Sequence, residues 1–357
     1  MKKALADTTK KPYRAEDDPN HWSDNRIKEW IVSKKILFVT NSLCQPGTQF
    51  LSALRTWTDK IPIHNFHLIY GLKNNKLYYG ADVFNEIVVR SFPGGLYENY
   101  DYVCYFDDDC FVTDWEALIK MLQQFIYDDC WVIAGPNDGG VFCHRNHSGM
   151  MINTFLSFWN LKAIRESGTV EEYVALRQRI SAPKGSEYKT FLQIMTEEKP
   201  ELLKELNTVC DEHIAEMHLR RKQRLPDGES PYAAVVRNDP NNPVEPHQTP
   251  YSCKEEAGNF EPYYLIEEAL VLFTGKGIQY FDACDYMNQN PEISDDDVDN
   301  SGLTSAIYYT TPGWDFEPRL VAVHTWFSRM YTKWPKNEVQ LQHTKRINKI
   351  ISQFGRL

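Results

Sequence analysis

Short apolar runs that alternate with helical segments constrain the fold of this chain more than any other feature of its sequence. The pattern predicts buried strands at Lys35–Thr40 and Asp101–Phe106, each followed by a turn and then by a helix, over Thr48–Thr58 and Asp114–Phe125 respectively. Strands that alternate with helices are typical of a mainly parallel sheet flanked by helices. The sequence therefore predicts an α/β fold whose ligands bind at the carboxyl ends of the strands.

The α/β pattern extends along most of the chain. Further apolar runs of strand length lie at His67–Tyr70, Glu86–Val89, Trp131–Gly135, Ile278–Phe281 and Leu320–His324, and we expect a strand at each. Helical periodicity predicts helices at Asn25–Ser33, Tyr264–Thr274 and Asn337–Phe354. No internal repeat is apparent, and a length of 357 residues fits either one large α/β domain with an insertion or two domains.

The composition changes in the middle of the chain and suggests four regions. Residues 1–34 are polar and form an N-terminal extension, and residues 35–160 carry the first part of the α/β core. Residues 161–258 combine charged helical stretches, a basic run at 218–224 and a loop rich in Pro, Asn and Asp, which together predict an insertion. Residues 259–357 then complete the core and end in the terminal helix.

The net charge and the cysteine spacing argue against a general nucleic-acid-binding protein and against a disulfide-bonded one. The 357 residues contain 39 lysines and arginines against 49 aspartates and glutamates, a net charge of −10, which argues against broad binding of nucleic acid through its phosphates. No apolar run approaches the ~20 residues that span a bilayer, and residues 1–20 lack the apolar core of a secretory signal. Eight cysteines without paired spacing indicate reduced thiols. We expect a cytoplasmic protein without a transmembrane segment, with peripheral membrane attachment as an alternative.

Three consecutive aspartates, Asp107, Asp108 and Asp109, directly follow the predicted strand Asp101–Phe106. Like charges this close repel unless a positive charge lies among them. Because side chains alternate along an extended chain, Asp107 and Asp109 are expected to share a face while Asp108 points away. Two carboxylates on one face suit Mg²⁺ or Mn²⁺, which complete their coordination with water and substrate phosphate. The alternative is a solvated acidic turn that caps the next helix near Asp114.

The segment Tyr105–Val112 closely resembles the Asp-x-Asp motif of GT-A glycosyltransferases, in which a strand delivers two aspartates to a metal ion and a sugar nucleotide. The phosphatase motif of the haloacid dehalogenases does not fit, because Phe111 stands where that family has Thr or Val. Further segments follow in the order of the retaining, glycogenin- and galactosyltransferase-like branch, family 8. These segments are Asn146–Asn153, Leu265–Phe273 with the strand after it, and Leu320–Trp334.

The resemblance implies a set of site residues. The metal ligands would be Asp107, Asp109 and His324, and a glutamate beside the anomeric carbon would be Glu267 or Glu268, with Glu187 as a competing candidate. The nucleotide sugar would be bound by Asp107, Asn41, Gly149, Arg329 and Lys333. The family's His-x-x-Gly-x-x-Lys spacing is missing after His324, which leaves open whether Arg329 or Lys333 holds the diphosphate.

The activity that the resemblance implies is transfer of a hexose or pentose from a nucleotide diphosphate donor, a UDP-sugar, with Mn²⁺ or Mg²⁺ as cofactor. The acceptor hydroxyl could belong to a glycan, a lipid-linked sugar, a protein or a modified DNA base, so nucleic acid enters only as an acceptor. We expect residues 161–258 to shape the acceptor site. Two alternatives remain: a nucleotidyltransferase that makes the sugar nucleotide, and a non-catalytic carbohydrate-binding protein.

Overall fold

The structure is a computed structural model of the chain. It describes residues 18–19, 22–42, 48–70, 72–73, 76–77, 80–136, 152, 154–180, 191–209, 263–285, 304–309, 319–325 and 352. Among the residues that it describes, no helix combines the length and the apolar character needed to cross a membrane.

Strands and helices alternate through the described part of the chain. The strands are β1 (Ile36–Ser42), β2 (Phe66–Tyr70), β3 (Leu72–Lys73), β4 (Lys76–Leu77), β5 (Tyr102–Asp107), β6 (Cys110–Val112), β7 (Trp131–Pro136), β8 (Leu156–Asn160), β9 (Gly277–Asp285), β10 (Thr304–Tyr309) and β11 (Arg319–Thr325). The helices are α1 (Asp24–Ser33), α2 (Thr48–Thr58), α3 (Gly80–Ser91), α4 (Trp115–Asp128), α5 (Leu161–Ser167), α6 (Val170–Ile180), α7 (Phe191–Glu198), α8 (200–209) and α9 (Tyr264–Thr274).

One mixed sheet organises the molecule, with the strand order β2-β1-β5-β8-β7-β9-β10-β11-β6. In the first six of these strands, five run in the same direction and only β8 is reversed. The remaining three, β10, β11 and β6, continue the sheet through antiparallel pairs. The prediction of an α/β fold flanked by helices is therefore confirmed, and the predicted mainly parallel sheet corresponds to the first six strands.

Helices cover both faces of the sheet. On one face Trp57 of α2 and Trp115 of α4 contact Phe38 and Phe106, which stack on each other in neighbouring strands. On the other face α3, α5, α6 and α9 pack together, and α5 and α9 also contact the sheet. Since successive residues of a strand face opposite sides, Phe106 lies on the first face and its neighbours in β5 lie on the second.

Local sequence explains where the central helices begin and end. Helix α4 starts at Trp115 because the Asp114 carboxylate accepts a hydrogen bond from the Ala117 amide, at 3.0 Å. Helix α9 ends where Gly275 adopts a left-handed conformation with φ of 67° and its amide donates to the Val271 carbonyl. Both glutamates predicted at the site lie in the first half of α9.

Most predicted elements are present, and one is wrong. Helices α2 and α9 have the predicted bounds. A strand is found at each predicted strand position except Glu86–Val89. That run lies inside α3, because Val83, Phe84, Ile87 and Val88 bury one side of a helix with helical spacing. The predicted terminal helix at Asn337–Phe354 lies outside the described residues apart from residue 352.

Candidate metal centre

The three consecutive aspartates lie where two distant parts of the sheet meet. Asp107 is the last residue of β5, Asp108 and Asp109 form a two-residue turn, and β6 begins at Cys110. Strand β5 lies inside the sheet, whereas β6 lies at the far end of the strand order and pairs with β11. The turn therefore brings the carboxyl end of β5 next to β11, where His324 pairs with Cys110.

Side chains of Asp107, Asp109 and His324 converge at this junction. Each offers one ligand atom, and these atoms lie within 4.8 Å of one another. The Nε2 atom of His324 is 2.9 Å from Oδ1 of Asp109 and 3.5 Å from Oδ2 of Asp107. Asp109 and His324 are buried, and Asp107 is half-buried. The chain thus gathers two carboxylates and an imidazole from sequence positions more than 200 residues apart.

Asp108 serves a different purpose from its two neighbours. Its Oδ2 atom accepts a hydrogen bond of 3.1 Å from the hydroxyl of Ser42, the last residue of β1. Both residues are buried, so this bond fixes the turn against the neighbouring strand. As predicted, Asp108 points away from the group that Asp107 and Asp109 form.

Neighbouring aromatic side chains fix the orientation of two ligands. The Tyr105 hydroxyl donates a hydrogen bond of 2.9 Å to Oδ1 of Asp107, which leaves Oδ2 as the oxygen nearer His324. The ring of Phe155 stacks on the His324 ring, with centroids 4.6 Å apart and an angle of 4° between the planes. The Phe155 carbonyl also accepts the amide hydrogen bond of Asp107, at 2.9 Å. Supporting contacts of this kind hold metal ligands in place.

The electrostatics of the junction favour a bound cation. Burial raises the pKa of the Cys110 thiol well above its ordinary value, and the carboxylates of Asp107 and Asp109 raise it further. Burial of two neighbouring carboxylates is unfavourable unless a positive charge compensates them. A proton on His324 would supply one such charge and a divalent ion would supply two.

The donor set fits Mn²⁺ or Mg²⁺. These ions bind oxygen at about 2.1 Å with octahedral geometry, so adjacent ligands lie about 3 Å apart. The distances of 2.9 and 3.5 Å from His324 to the two carboxylates agree with that spacing. Carboxylate oxygens suit both Mn²⁺ and Mg²⁺. Asp107, Asp109 and His324 could therefore hold a divalent ion.

Helix α9 brings two buried glutamates to the face of the sheet on which Asp107 lies. Tyr105 and Asp107 share a face of β5, and the Phe84 ring contacts both Tyr105, at 4.6 Å, and Tyr263, at 5.9 Å. Tyr263 directly precedes α9, so the helix begins close to the metal-ligand end of β5. Its first turn contains Glu267.

Burial changes the acidity of one of these glutamates. Glu267 is fully buried and Glu268 is 6% exposed. Burial raises the pKa of Glu268 from its ordinary 4.5 to about 8. A buried carboxyl group whose pKa is raised in this way is a candidate functional residue.

The structure accounts for part of the predicted set of site residues. It brings Asp107, Asp109 and His324 together, and it places Asn41 opposite Asp107 in the pairing of β1 with β5. Asn41 lies in β1 because this strand extends to Ser42, two residues beyond its predicted end at Thr40. The remaining predicted residues, Gly149, Glu187, Arg329 and Lys333, lie outside the described residues.

Sequence reasoning missed Tyr105, Ser42 and Phe155. Tyr105 could have been found, because it lies two residues before Asp107 and strand alternation puts both on one face. Ser42 and Phe155 reach the site through strand pairings that no local signal reveals. The chain matches no known family model, and no curated protein is similar to it at a significant level.

Proposed function

We propose that this chain is a metal-dependent glycosyltransferase of the GT-A type, which moves a sugar from a nucleotide diphosphate donor, a UDP-sugar, to a hydroxyl acceptor. The observation that carries the proposal is the cluster of Asp107, Asp109 and His324 at the carboxyl end of β5. Ligands of α/β sheets bind at that edge. The Asp-x-Asp motif of the sequence and the mainly parallel first six strands of the sheet support the same assignment.

Each ligand has a role that follows from its contacts. Asp107, through Oδ2, together with Asp109 and His324 would hold Mn²⁺ or Mg²⁺, which supplies positive charge and Lewis acidity at the leaving diphosphate. Tyr105 keeps the Asp107 carboxylate oriented, and Asn41 lies beside it as a candidate contact for the nucleotide. The resemblance adds Arg329 or Lys333 as a donor of charge-assisted hydrogen bonds to the diphosphate.

The two glutamates of α9 would handle the sugar and the acceptor. A general base works best when its pKa lies near the working pH, and the pKa of about 8 gives Glu268 that property. If the reaction inverts the anomeric configuration, Glu268 in its ionised form is our candidate for the base that takes the proton of the acceptor hydroxyl. Glu267 is the candidate for stabilising the positive charge that develops on the sugar. The resemblance alone favours retention of configuration at the anomeric carbon.

A screen of nucleotide sugars for slow donor hydrolysis, with and without Mn²⁺, tests the proposal without a known acceptor. The wild type should hydrolyse one donor class only when Mn²⁺ is present. Asp109→Asn should lose this activity, whereas Asp59→Asn, which removes the same charge from an exposed position, should retain it. Equal turnover in Asp109→Asn would overturn the ligand assignment.

Assays of pyrophosphate release and of nucleotide affinity separate the two alternatives. A nucleotidyltransferase would form the sugar nucleotide from a nucleoside triphosphate and a sugar phosphate, with release of pyrophosphate. The glycine-rich segment that grips the triphosphate in such enzymes is missing after β1. A non-catalytic carbohydrate-binding protein would show neither turnover nor metal-dependent affinity for nucleotides.

A further inference from the structure

The metal centre depends on a very short strand pairing. Strand β6 has three residues, and its pairs with β11 are Cys110 with His324, Phe111 with Val323, and Val112 with Ala322. Side chains alternate along a strand, so a slip of one residue between β6 and β11 would turn His324 away from the two aspartates. The position of His324 beside the two aspartates therefore depends on the register between β6 and β11.

Pairing with β10 does not set the register between β11 and β6, because β10 lies on the other side of β11 in the sheet. The six paired positions of β10 and β11 are interrupted between Ile307 and Tyr308, where the register shifts. His324 lies on one side of this irregularity and Arg319 lies on the other. Four continuous pairs join Thr304–Ile307 of β10 to Ala322–Thr325 of β11, so β10 holds the His324 end of β11 but does not set the position of β11 against β6.

Arg319 ties the first residue of β11 to the segment that follows β6. Its Nε atom donates to Oδ2 of Asp114 at 2.6 Å, and one terminal nitrogen donates to Oδ1 of Asp114 at 2.8 Å and to Glu116 at 2.9 Å. The side chains of Arg319 and Asp114 are only 27% and 21% exposed, so solvent screens this bidentate pair less than a surface ion pair. Thr113 adds a hydrogen bond of 2.6 Å to the Leu320 carbonyl.

Helix α4 holds the two acidic partners of Arg319 in place. Asp114 caps α4 and accepts the Ala117 amide while it binds Arg319, and Glu116 lies in the first turn of the same helix. A slip of two residues in β11, the smallest that keeps His324 on its face, would move Arg319 by about 7 Å. All three hydrogen bonds to Asp114 and Glu116 would then break.

We infer that Arg319 is a positioning residue of the metal centre: its bonds to Asp114 and Glu116 hold β11 in the register that puts His324 beside Asp107 and Asp109. The inference rests on the metal site of the proposed function but not on sugar transfer. Arg319 contributes no ligand atom, and it acts through His324.

Mn²⁺ titration by calorimetry tests this role. Arg319→Gln should weaken Mn²⁺ binding by about 10- to 100-fold, the range typical of residues that support a ligand. Arg319→Lys should lie between the wild type and Arg319→Gln, because lysine keeps the charge but loses the bidentate geometry. Arg179→Gln is the matched control, since Arg179 pairs with Glu198 on the exposed side of the molecule and should leave Mn²⁺ affinity unchanged.

A double-mutant cycle with His324→Gln separates positioning from general destabilisation. If Arg319 acts through His324, Arg319→Gln should cause no further loss of affinity in the His324→Gln background, which retains both carboxylates. An equal loss in both backgrounds, or an unchanged affinity of folded Arg319→Gln, would overturn the inference. If Arg319→Gln fails to fold by circular dichroism, unchanged affinity of Arg319→Lys overturns it instead. Absence of Mn²⁺ binding to the wild type would instead contradict the proposed metal site.

Discussion

Replacing Glu268 by glutamine should change how stability depends on pH. Glutamine has nearly the same shape as glutamic acid but cannot ionise. Glu268 is 6% exposed, and burial raises its pKa from 4.5 to about 8. Between these two values the folded protein keeps a proton on Glu268 that the unfolded chain has released. The wild type should therefore lose stability relative to Glu268→Gln as the pH rises through this window.

The magnitude follows from proton linkage. One extra proton in the folded state lowers the free energy of unfolding by about 1.4 kcal/mol for each pH unit, which amounts to about 5 kcal/mol between pH 4.5 and pH 8. Below pH 4.5 both states are protonated, and above pH 8 both are ionised, so the difference between the wild type and the variant becomes constant at each end.

Urea unfolding of both proteins at half-unit steps from pH 4.5 to pH 9 measures this difference directly. Glu29→Gln, at an exposed position in α1, is the control and should show no such slope against the wild type. If the difference between the wild type and Glu268→Gln does not change with pH, Glu268 titrates normally. The assignment of Glu268 as a base with a pKa near the working pH would then fail.

Two further substitutions test individual contacts. Tyr105→Phe removes the hydroxyl that donates to Asp107 and should weaken Mn²⁺ binding by about 10- to 100-fold in a calorimetric titration. Tyr102→Phe in the same strand is the control and should leave Mn²⁺ affinity unchanged. Equal Mn²⁺ affinities of the wild type and Tyr105→Phe would exclude the supporting role of Tyr105. Asn160→Ala removes the cap of α5, where the Asn160 side chain accepts the Ala163 amide at 2.8 Å. It should lower the free energy of unfolding by about 1 kcal/mol without affecting Mn²⁺ affinity, and a loss of affinity would contradict this purely structural role.

Local sequence patterns were sufficient to predict those elements in which buried residues recur with the spacing of a helix or of a strand. Helix α9 is apolar over most of its length and ends at a glycine, and its bounds agree with the prediction. The run Glu86–Val89 misled because a few consecutive β-branched residues fit either a strand or a buried helix, and the helical spacing of Val83, Phe84 and Ile87 decides the outcome. The short strands β3, β4 and β6 were not predicted, and neither were β8 and β10.

The candidate site was predictable only in part, because its ligands meet through long-range pairing. The acidic run after β5 indicates a metal by itself, since Asp107 and Asp109 are only two positions apart and share a face of an extended chain. His324 reaches them because β11 pairs with β6, and no local pattern specifies that pairing. Only the resemblance to glycosyltransferases pointed to this histidine. The perturbed pKa of Glu268 depends on the packing of α9 between its neighbours and has no sequence signal of its own.

Direct binding of Mn²⁺ tests the central claim that Asp107, Asp109 and His324 form a metal centre. We predict that calorimetric titration shows one Mn²⁺ per chain in the wild type and in the charge-matched control Asp59→Asn. Asp109→Asn should bind at least about 100-fold more weakly, a larger loss than removal of a supporting residue typically causes. No Mn²⁺ binding to the wild type, or equal affinity in Asp109→Asn, would contradict the account.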